Sequence, residues 1–261
     1  MTGIYFDIDD TLYDRQGLLI QAGQEALTWA AARAFGRKPG SRSSDLCPGL
    51  DQKEFVRIFY IKSDENFSLV ENGTITARQS NVWRLEETFK AMGLPCPEGT
   101  GDLFADRYTY LQNHITLAPF LAEMFKRLRL AHVPVGILTN GESDHQWKKV
   151  RMLGLDRWIP ENLAVVSGDV GISKPDAGIF RAAEQAMGLA PENLWLAGDS
   201  LKHDILGAKA AGWHTIWLDR RGAIGTSASA DGYPESAAVS DLRADTEEAL
   251  ARMVLSDIFS L

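Results

Sequence analysis

Five short apolar runs constrain this chain more than any other feature of its sequence, because each has the composition of a buried parallel strand. They span residues 4–8, 133–138, 163–166, 194–197 and 215–218. Between the later runs, apolar residues recur three and four positions apart, which is the spacing of amphipathic helices. This alternation predicts an α/β fold, with a Rossmann-like parallel sheet and helices on both of its faces.

The chain between the first and second runs breaks the alternation and is predicted to be all-helical. Helices are predicted at 18–35, 51–70, 76–92 and 102–113. Thr76 and Gln79 match a capping box at the start of the third helix. We therefore predict an α/β core domain formed by residues 1–13 and 118–261, and an inserted helical cap domain formed by residues 14–117. Ligands of open parallel sheets bind beyond the carboxyl ends of the strands, so a cap inserted there is expected to cover the site.

Two stretches of small and polar residues, 36–48 and 226–238, are predicted to be loops. The first is rich in Gly, Pro, Ser and basic residues, which favour turns over helices. A final strand and helix are predicted after the second.

The charge balance limits the classes of partner. The chain has 261 residues, 35 of them acidic and 27 Lys or Arg, for a net charge of -8. Affinity for nucleic acid depends on clustered Lys and Arg, and the sequence has no such cluster, so nucleic acid is not expected as a partner. Cys47 and Cys96 are the two cysteines and form no CxxC pair, which argues against a disulfide framework and a zinc site.

No apolar run in the sequence approaches the roughly 20 residues that a membrane helix needs. The first residues lack the basic region of a signal peptide. We therefore expect a cytoplasmic protein without a membrane partner, either a monomer or a homodimer.

Acidic residues follow the first run directly. The period of a strand places Asp7 and Asp9 on the same side of the chain as it leaves the sheet. A strand that ends in a polar turn would have the same residues, so the pair alone is weak evidence of a site. An EF-hand loop is excluded, because Leu12 stands where that loop needs glycine.

Further polar clusters follow the later runs. Thr139, Asn140 and Gly141 come after the second run, and a hydroxyl followed by free backbone N–H groups suits phosphate oxygens. Lys174 precedes a predicted helix, and if it points inward it supplies the positive charge that a phosphate and several carboxylates would share. Taken alone, a turn and a solvated lysine explain these residues equally well.

Asp199 follows the fourth run, and Asp204 begins the next helix. If these carboxylates converge with Asp7 and Asp9, each close pair costs about 4 kcal/mol at a separation of about 4 Å and an effective dielectric constant near 20. A cation is then expected. Oxygen ligands with retained waters favour Mg²⁺ over zinc or copper.

In this order, the clusters resemble the four motifs of the haloacid dehalogenase-like hydrolase superfamily, and the helical insert resembles the C1 cap of its subfamily IA phosphatases. The motifs read Asp7-Ile8-Asp9-Asp10-Thr11, Leu138-Thr139-Asn140-Gly141, Ser173-Lys174-Pro175 and Gly198-Asp199-Ser200 to Asp204. The resemblance covers the whole chain, and four motifs in order are much more specific than any one of them.

The resemblance implies a hydrolase that works through an aspartyl-phosphate. Asp7 would attack phosphorus in line. Asp9 would protonate the leaving alcohol and then deprotonate the attacking water. The carboxylates of Asp7 and Asp199, with the backbone carbonyl of Asp9, would hold Mg²⁺. Asp204 would support these ligands rather than bind the metal directly.

The same resemblance assigns the remaining residues to the phosphoryl group. Thr139, with the backbone of Asn140 and Gly141, would hold the phosphoryl oxygens, and Lys174 would balance charge and position Asp7. The expected activity is that of a Mg²⁺-dependent phosphatase acting on a small phosphorylated metabolite, nucleotidase-like or sugar-phosphatase-like.

Three alternatives remain at this stage. A phosphomutase would reuse Asp7 and Asp9 but return the phosphoryl group to its substrate. A haloacid dehalogenase fits less well, because those relatives lack the second aspartate of the first motif, which is Asp9 here. A non-enzymatic binding module on the same fold would be favoured by loss of Asp7, Asp9, Lys174 or Asp199, and all four are present.

Overall fold

The computed structural model describes residues 1–34, 50–71, 73–220 and 239–261. The two predicted loops, 36–48 and 226–238, lie outside these residues. The chain divides into two compact units: Met1–Asp14 with Ile115–Leu261, called the α/β unit below, and Arg15–His114, called the helical unit. That the helical unit covers a substrate stays a prediction.

The α/β unit is built on a parallel sheet. Its strands in the described residues are β1 (Gly3–Phe6), β2 (Val135–Thr139), β3 (Ala164–Val166), β4 (Leu194–Gly198), β5 (His214–Leu218) and β6 (Leu242–Ala244). Their order across the sheet is β3-β2-β1-β4-β5-β6, and all neighbouring pairs are parallel. The sheet, with helices around it, confirms the predicted α/β fold.

Helices in the described residues account for most of the remaining chain. The α-helices are α1 (Arg15–Ala34), α2 (Gln52–Glu71), α3 (Ala77–Ala91), α4 (Thr100–Gln112), α5 (Pro119–Leu130), α6 (Ser143–Met152), α7 (Ser167–Val170), α8 (Ala177–Met187), α9 (Gly207–Ala210) and α10 (Glu247–Met253). Leu201–Leu206 and Val254–Ile258 form π-helical turns. None of the helices in the described ranges is long and apolar enough to cross a membrane.

The centre of the sheet is packed tightly around Tyr5. Tyr5 pairs with Gly136 between β1 and β2, and a Cβ atom on Gly136 would lie 2.2 Å from the Tyr5 ring. The Tyr5 hydroxyl donates to the Ala183 carbonyl of α8 at 2.8 Å. The ring also packs against Trp213, with a centroid distance of 5.5 Å. Because Gly136 leaves room for the ring, β1 and α8 are fixed to each other through one buried side chain.

The helical unit has a core of its own, formed largely by aromatic rings. Phe55 lies 5.8 Å from Phe59 and 6.2 Å from Phe89, and Phe59 lies 5.4 Å from Phe104, all measured between ring centroids. A Cβ atom on Gly23 would lie 2.5 Å from the Phe55 ring, so α1 approaches α2 closely at this glycine. The core therefore joins all four helices of the unit.

The predicted capping box at the start of α3 is confirmed. The Gln79 backbone N–H donates to Thr76 Oγ1 at 3.1 Å, and the Thr76 backbone N–H donates to Gln79 Oε1 at 2.8 Å. Two backbone donors that the first turn leaves without partners are satisfied in this way.

Candidate active site

The polar clusters predicted from the sequence lie at one edge of the sheet. Phe6 of β1 pairs with Ile137 of β2 and with Ala197 of β4, so these three parallel strands end next to one another. Asp7 follows β1, and its backbone N–H still donates to the Ala197 carbonyl at 2.9 Å. Residues that follow the three strands therefore emerge at the same carboxyl edge.

Three carboxylates meet at this edge. One oxygen each from Asp7, Asp199 and Asp204 lies within 4.8 Å of the others. Asp7 and Asp204 are buried. Gly198, the last residue of β4, makes room for the cluster, because a Cβ atom there would lie 2.4 Å from Asp204 Oδ2. The Ser200 backbone N–H donates to the same oxygen at 2.9 Å and fixes its position.

Lys174 points into the carboxylate cluster and is 3% exposed. Its Nζ lies 2.9 Å from Asp7 Oδ1 and 2.6 Å from Asp204 Oδ1, and it donates to the Leu138 carbonyl at 2.8 Å. All three hydrogens of the ammonium group thus have acceptors. Of the two interpretations of Lys174 that the sequence allows, inward-pointing or solvated, the structure shows the first.

The Asn140 side chain holds the backbone of Lys174. Asn140 Nδ2 donates to the Lys174 carbonyl at 2.9 Å, and the Lys174 N–H donates to Asn140 Oδ1 at 2.8 Å. This pair of hydrogen bonds links the loop after β2 to the loop that carries the lysine. In the structure, the Asn140 side chain therefore orients Lys174.

Burial and the closeness of the carboxylates raise the pKa values of Asp7 and Asp199. Burial raises the pKa of Asp7 to about 6; the Lys174 charge opposes this, and Asp204 and Asp9 add to it. Burial also raises the pKa of Asp199 well above its usual value, and the charges of Asp10 and Asp204 act in the same direction. Both shifts mean that a further positive charge would be stabilising here.

For the Lys174 ammonium group, burial and the neighbouring charges act on the pKa in opposite directions. Burial disfavours its charged form, but Asp204 and Asp7 more than offset this and hold its pKa above the usual value for lysine. With Lys174 charged and Asp7, Asp199 and Asp204 ionised, one positive charge faces three negative ones. A hard divalent cation fits this donor set, because carboxylate oxygens are the ligands that Mg²⁺ and Ca²⁺ prefer.

The Asp9 carboxylate is bound by other residues. Lys149 Nζ lies 2.7 Å from its Oδ1 and 2.6 Å from its Oδ2. Gln146 Nε2 donates to Oδ2 at 3.1 Å, and the Tyr13 hydroxyl donates to Oδ1. Asp9 thus interacts with α6, on which the sequence indicated no site residue.

Thr139, predicted to bind phosphate, is almost completely buried. Its Oγ1 has no hydrogen-bond partner among the described residues. A buried hydroxyl without a partner costs free energy, and such groups are uncommon in folded proteins. The hydroxyl is therefore a candidate donor for a bound anion.

The backbone of Gly141 is predicted to hold phosphoryl oxygens, and that role stays a prediction. Its backbone N–H donates to Ser167 Oγ at 2.9 Å, so in this structure that N–H is already used within the protein. The reason is the close approach of α7, where a Cβ atom on Gly168 would lie 2.8 Å from the Gly141 carbonyl oxygen. No local sequence pattern indicates that Ser167 lies beside Gly141.

The sequence predicts no site role for Lys149 or Gln146, although the spacing of these two residues contains a signal. Gln146, Lys149 and Val150 lie on the buried stripe of α6. A polar residue on such a stripe is unusual, because that face of a helix normally carries apolar side chains. Two of them, one turn apart, could have suggested a buried polar partner on another element.

A family model for haloacid dehalogenase-like hydrolases matches residues 1–212. The chain is also similar to named phosphatases. It is 34% identical over 217 residues to the glyceraldehyde 3-phosphate phosphatase of Methanopyrus kandleri, an alignment that covers 83% of each protein. It is 41% identical over 101 residues to the phosphoserine phosphatase of Thermus thermophilus, but that alignment covers 39% of this chain and only 38% of the relative.

A solved structure has the same fold over almost its whole length. The HAD-hydrolase YfnB from Bacillus subtilis, in a crystal form bound to magnesium, superposes with a TM-score of 0.57. The superposition covers 97% of this chain and 98% of that one, at 21% identity. At this identity the likeness speaks for the fold alone.

Proposed function

The chain belongs to the haloacid dehalogenase-like hydrolases, and from that membership we propose that it is a Mg²⁺-dependent phosphatase that hydrolyses a small phosphomonoester through an aspartyl-phosphate. The observation that carries the proposal is the meeting of Asp7, Asp204 and Lys174, with contacts of 2.9 and 2.6 Å to the ammonium group. A nucleophilic carboxylate, a fixed positive charge and a hydroxyl donor for the phosphoryl oxygens all favour phosphoryl transfer.

In the first step, an Asp7 oxygen forms a bond to phosphorus while the bond from phosphorus to the leaving oxygen breaks. Asp9 transfers its proton to that leaving oxygen, so the alcohol departs neutral. In the second step, Asp9 takes a proton from water as the water oxygen attacks the aspartyl-phosphate. Inorganic phosphate leaves, and the Asp7 carboxylate and protonated Asp9 are restored.

Asp7 and Asp199, with the backbone carbonyl of Asp9, would hold the metal ion. The Asp204 carboxylate is occupied by Lys174 at 2.6 Å and by the Ser200 N–H at 2.9 Å, which suits it better to orienting the others. When bound, Mg²⁺ supplies positive charge between the nucleophile and the phosphate, which lowers their repulsion.

Lys174 and Thr139 act on the phosphoryl group. Lys174 keeps the Asp7 carboxylate in one orientation and supplies a fixed charge that needs no reorganisation during the reaction. The Thr139 hydroxyl would donate to a phosphoryl oxygen and so gain the partner that it lacks among the described residues.

The proposal is tested by hydrolysis of 4-nitrophenyl phosphate with and without Mg²⁺. Asp7→Asn is expected to lower kcat by at least about 10³-fold, because the amide is a poor nucleophile. Asp156→Asn, at an exposed position, is the matched control and should behave like the parent. Equal rates for Asp7→Asn and the parent would defeat the assignment.

We propose that the substrates are small phosphorylated metabolites. The Methanopyrus relative, which aligns over most of both chains, is named for a three-carbon sugar phosphate. A panel of sugar phosphates, phosphoserine and nucleoside monophosphates, assayed by release of inorganic phosphate, separates sugar-phosphatase from nucleotidase activity. A kcat/KM for nucleotides above that for every sugar phosphate would move the assignment to the nucleotidases.

A further inference from the structure

Residues of α6 restrain the Asp9 carboxylate on both of its oxygens. Oδ1 receives Lys149 Nζ at 2.7 Å and the Tyr13 hydroxyl. Oδ2 receives Lys149 Nζ at 2.6 Å and Gln146 Nε2 at 3.1 Å. Because two donors meet each oxygen, rotation of the carboxylate would break several hydrogen bonds at once.

The Lys149–Asp9 ion pair is largely removed from water. The Lys149 side chain is 8% exposed, and that of Asp9 is 15% exposed. Burying two charges costs several kcal/mol per ion, and apolar residues of similar volume often give equal or greater stability. Lys149 also shares its buried stripe of α6 with Val150, where an apolar residue would be usual. Fold stability is therefore a poor explanation for Lys149.

Gln146 connects this pair to the other side of the site. Its Nε2 donates to the Asn140 carbonyl at 2.6 Å as well as to Asp9. Asn140 in turn exchanges two hydrogen bonds with the backbone of Lys174. One helix thus sets the position of Asp9 relative to the end of β2, where Thr139 lies, and to the loop that carries Lys174.

We propose that Lys149 is a positioning residue, which fixes the orientation in which Asp9 delivers its proton to the leaving group. The inference rests on the proposed function and deepens it. The proton is the one that Asp9 takes from water during hydrolysis of the aspartyl-phosphate. In the transfer, the O–H bond of Asp9 breaks and the proton goes to the oxygen that leaves phosphorus, which regenerates the ionised carboxylate that Lys149 and Gln146 hold in the structure. Lys149 keeps its own proton and acts through Asp9. A small misplacement of a reacting group is costly, so loss of Lys149 should slow only the steps that need this proton.

The test compares Lys149→Met with the parent on two phosphomonoesters. The 4-nitrophenolate group leaves without a proton at neutral pH, whereas the alkoxide of glycerol 2-phosphate needs one. We expect kcat/KM for glycerol 2-phosphate to fall about 30-fold, and kcat/KM for 4-nitrophenyl phosphate to fall less than about threefold. Lys148→Met, at the exposed neighbouring position, is the matched control and should leave both values unchanged. An equal loss on both substrates, or no loss on either, overturns the inference.

A double-mutant cycle with Asp9→Asn asks whether Lys149 acts through Asp9. In that case, adding Lys149→Met to Asp9→Asn changes kcat/KM for glycerol 2-phosphate by less than about twofold. Two losses that multiply would contradict the inference. The double variant leaves no buried charge unpaired, so a further loss relative to Asp9→Asn would still contradict the inference if Lys149→Met alone unfolds. Melting temperatures of all four proteins report folding.

The same assays distinguish failure of the proposed phosphatase function from failure of the role proposed for Lys149. A parent that hydrolyses neither substrate in Mg²⁺ overturns the phosphatase assignment and this inference together. An active parent with inert Asp7→Asn, but equal losses for Lys149→Met on both substrates, overturns this inference and leaves the phosphatase assignment in place.

Discussion

Substitutions of single side chains at the carboxyl edge of the sheet are expected to have different effects on stability and on activity. Thr139 buries a hydroxyl whose oxygen has no partner among the described residues, so its removal breaks no hydrogen bond there. We expect Thr139→Val to raise the free energy of unfolding by about 1 kcal/mol, because the methyl group fills the same volume and the substitution removes a buried hydroxyl that lacks a partner among the described residues. We expect kcat/KM to fall about 10²-fold, because a donor to the phosphoryl group is lost. Urea unfolding and the 4-nitrophenyl phosphate assay measure the two effects.

Thr215→Val is the control with the opposite expectation. The Thr215 hydroxyl lies 3.3 Å from Asp241 Oδ2 and accepts from the Asp241 N–H at 3.3 Å. Its replacement should lower the free energy of unfolding by about 1 kcal/mol and leave kcat/KM unchanged. If Thr139→Val lost as much stability as Thr215→Val while keeping full activity, the role assigned to Thr139 would be wrong.

Loss of Lys174 should lower both the free energy of unfolding and the activity, because its Nζ contacts Asp7 and Asp204 at 2.9 and 2.6 Å. Lys174→Met leaves two buried carboxylates without their cation, and breaking a buried pair in this way costs about 3 kcal/mol or more. We expect kcat to fall about 10³-fold. Lys126→Met, at an exposed position with a 3.3 Å pair to Glu123, should change neither. An unchanged melting temperature for Lys174→Met would contradict the buried ion-pair assignment.

The sequence predicted some of these residues and not others for a physical reason. Asp7 directly follows a buried strand and Thr139 ends one, and parallel strands bring their carboxyl ends together whatever the positions of the helices. Lys149 depends on the rotation of α6 about its own axis, which the sequence fixes only loosely. The pairing of the Gly141 N–H with Ser167 is a long-range contact between the loop after β2 and the start of α7, and no local pattern encodes it.

At the scale of elements, the edge strand β6 is attached through Asp241, the residue before it. Asp241 accepts two contacts from Lys209 Nζ at 2.7 and 2.8 Å and one from the Thr215 N–H at 2.7 Å. Partial burial would raise the pKa of Asp241, but the hydrogen bonds from Lys209 and Thr215 outweigh it and hold this pKa below its usual value.

A lowered pKa in the folded protein means that the ionised carboxylate stabilises the fold. This stabilisation is complete above the pKa of the unfolded chain, about 4, and is lost as the pH falls through the folded value. We expect Asp241→Asn to be less stable than the parent by about 1 kcal/mol at pH 7, with the difference shrinking as the pH falls below about 4. Urea unfolding from pH 7 to pH 3 measures this, with Asp156→Asn as the control. A difference that grew on acidification would contradict the sign.

The boundaries of elements were harder to predict than their existence. The first strand was expected to reach Ile8 but ends at Phe6. The Ile8 carbonyl accepts from the backbone N–H groups of Thr11 and Leu12, so it takes part in a turn instead of the sheet. The apolar run continues through the turn, because Ile8 and Leu12 are buried there. Apolar composition reports burial and does not by itself mark the end of a strand.

For the molecule as a whole, metal removal should separate catalysis from folding. The α/β unit and the helical unit each have a hydrophobic core, and Asp7, Asp199 and Asp204 belong to neither. An ion that binds only the folded state adds about 2.7 kcal/mol when its concentration is 100 times its Kd. We expect excess EDTA to lower hydrolysis by at least about 10²-fold and the melting temperature by only about 5 °C.

Added Mg²⁺ should restore both values, and a calorimetric scan with a parallel rate assay measures them. Full hydrolysis in excess EDTA would contradict the metal assignment. Loss of cooperative unfolding in EDTA would instead mean that the ion is part of the folding core.

The position of β1 between β2 and β4 has a consequence for protein synthesis. β1 leaves the ribosome before β2 and β4, and both of these strands follow the whole of Arg15–His114 in the sequence. Arg15–His114 is contiguous and has its own aromatic core, so it can fold before β2 and β4 are translated. Its folding shortens the flexible loop that must close when β1 pairs with these strands. The contacts of Asp7 with Lys174 can therefore form only after translation has passed Arg15–His114 and reached Lys174.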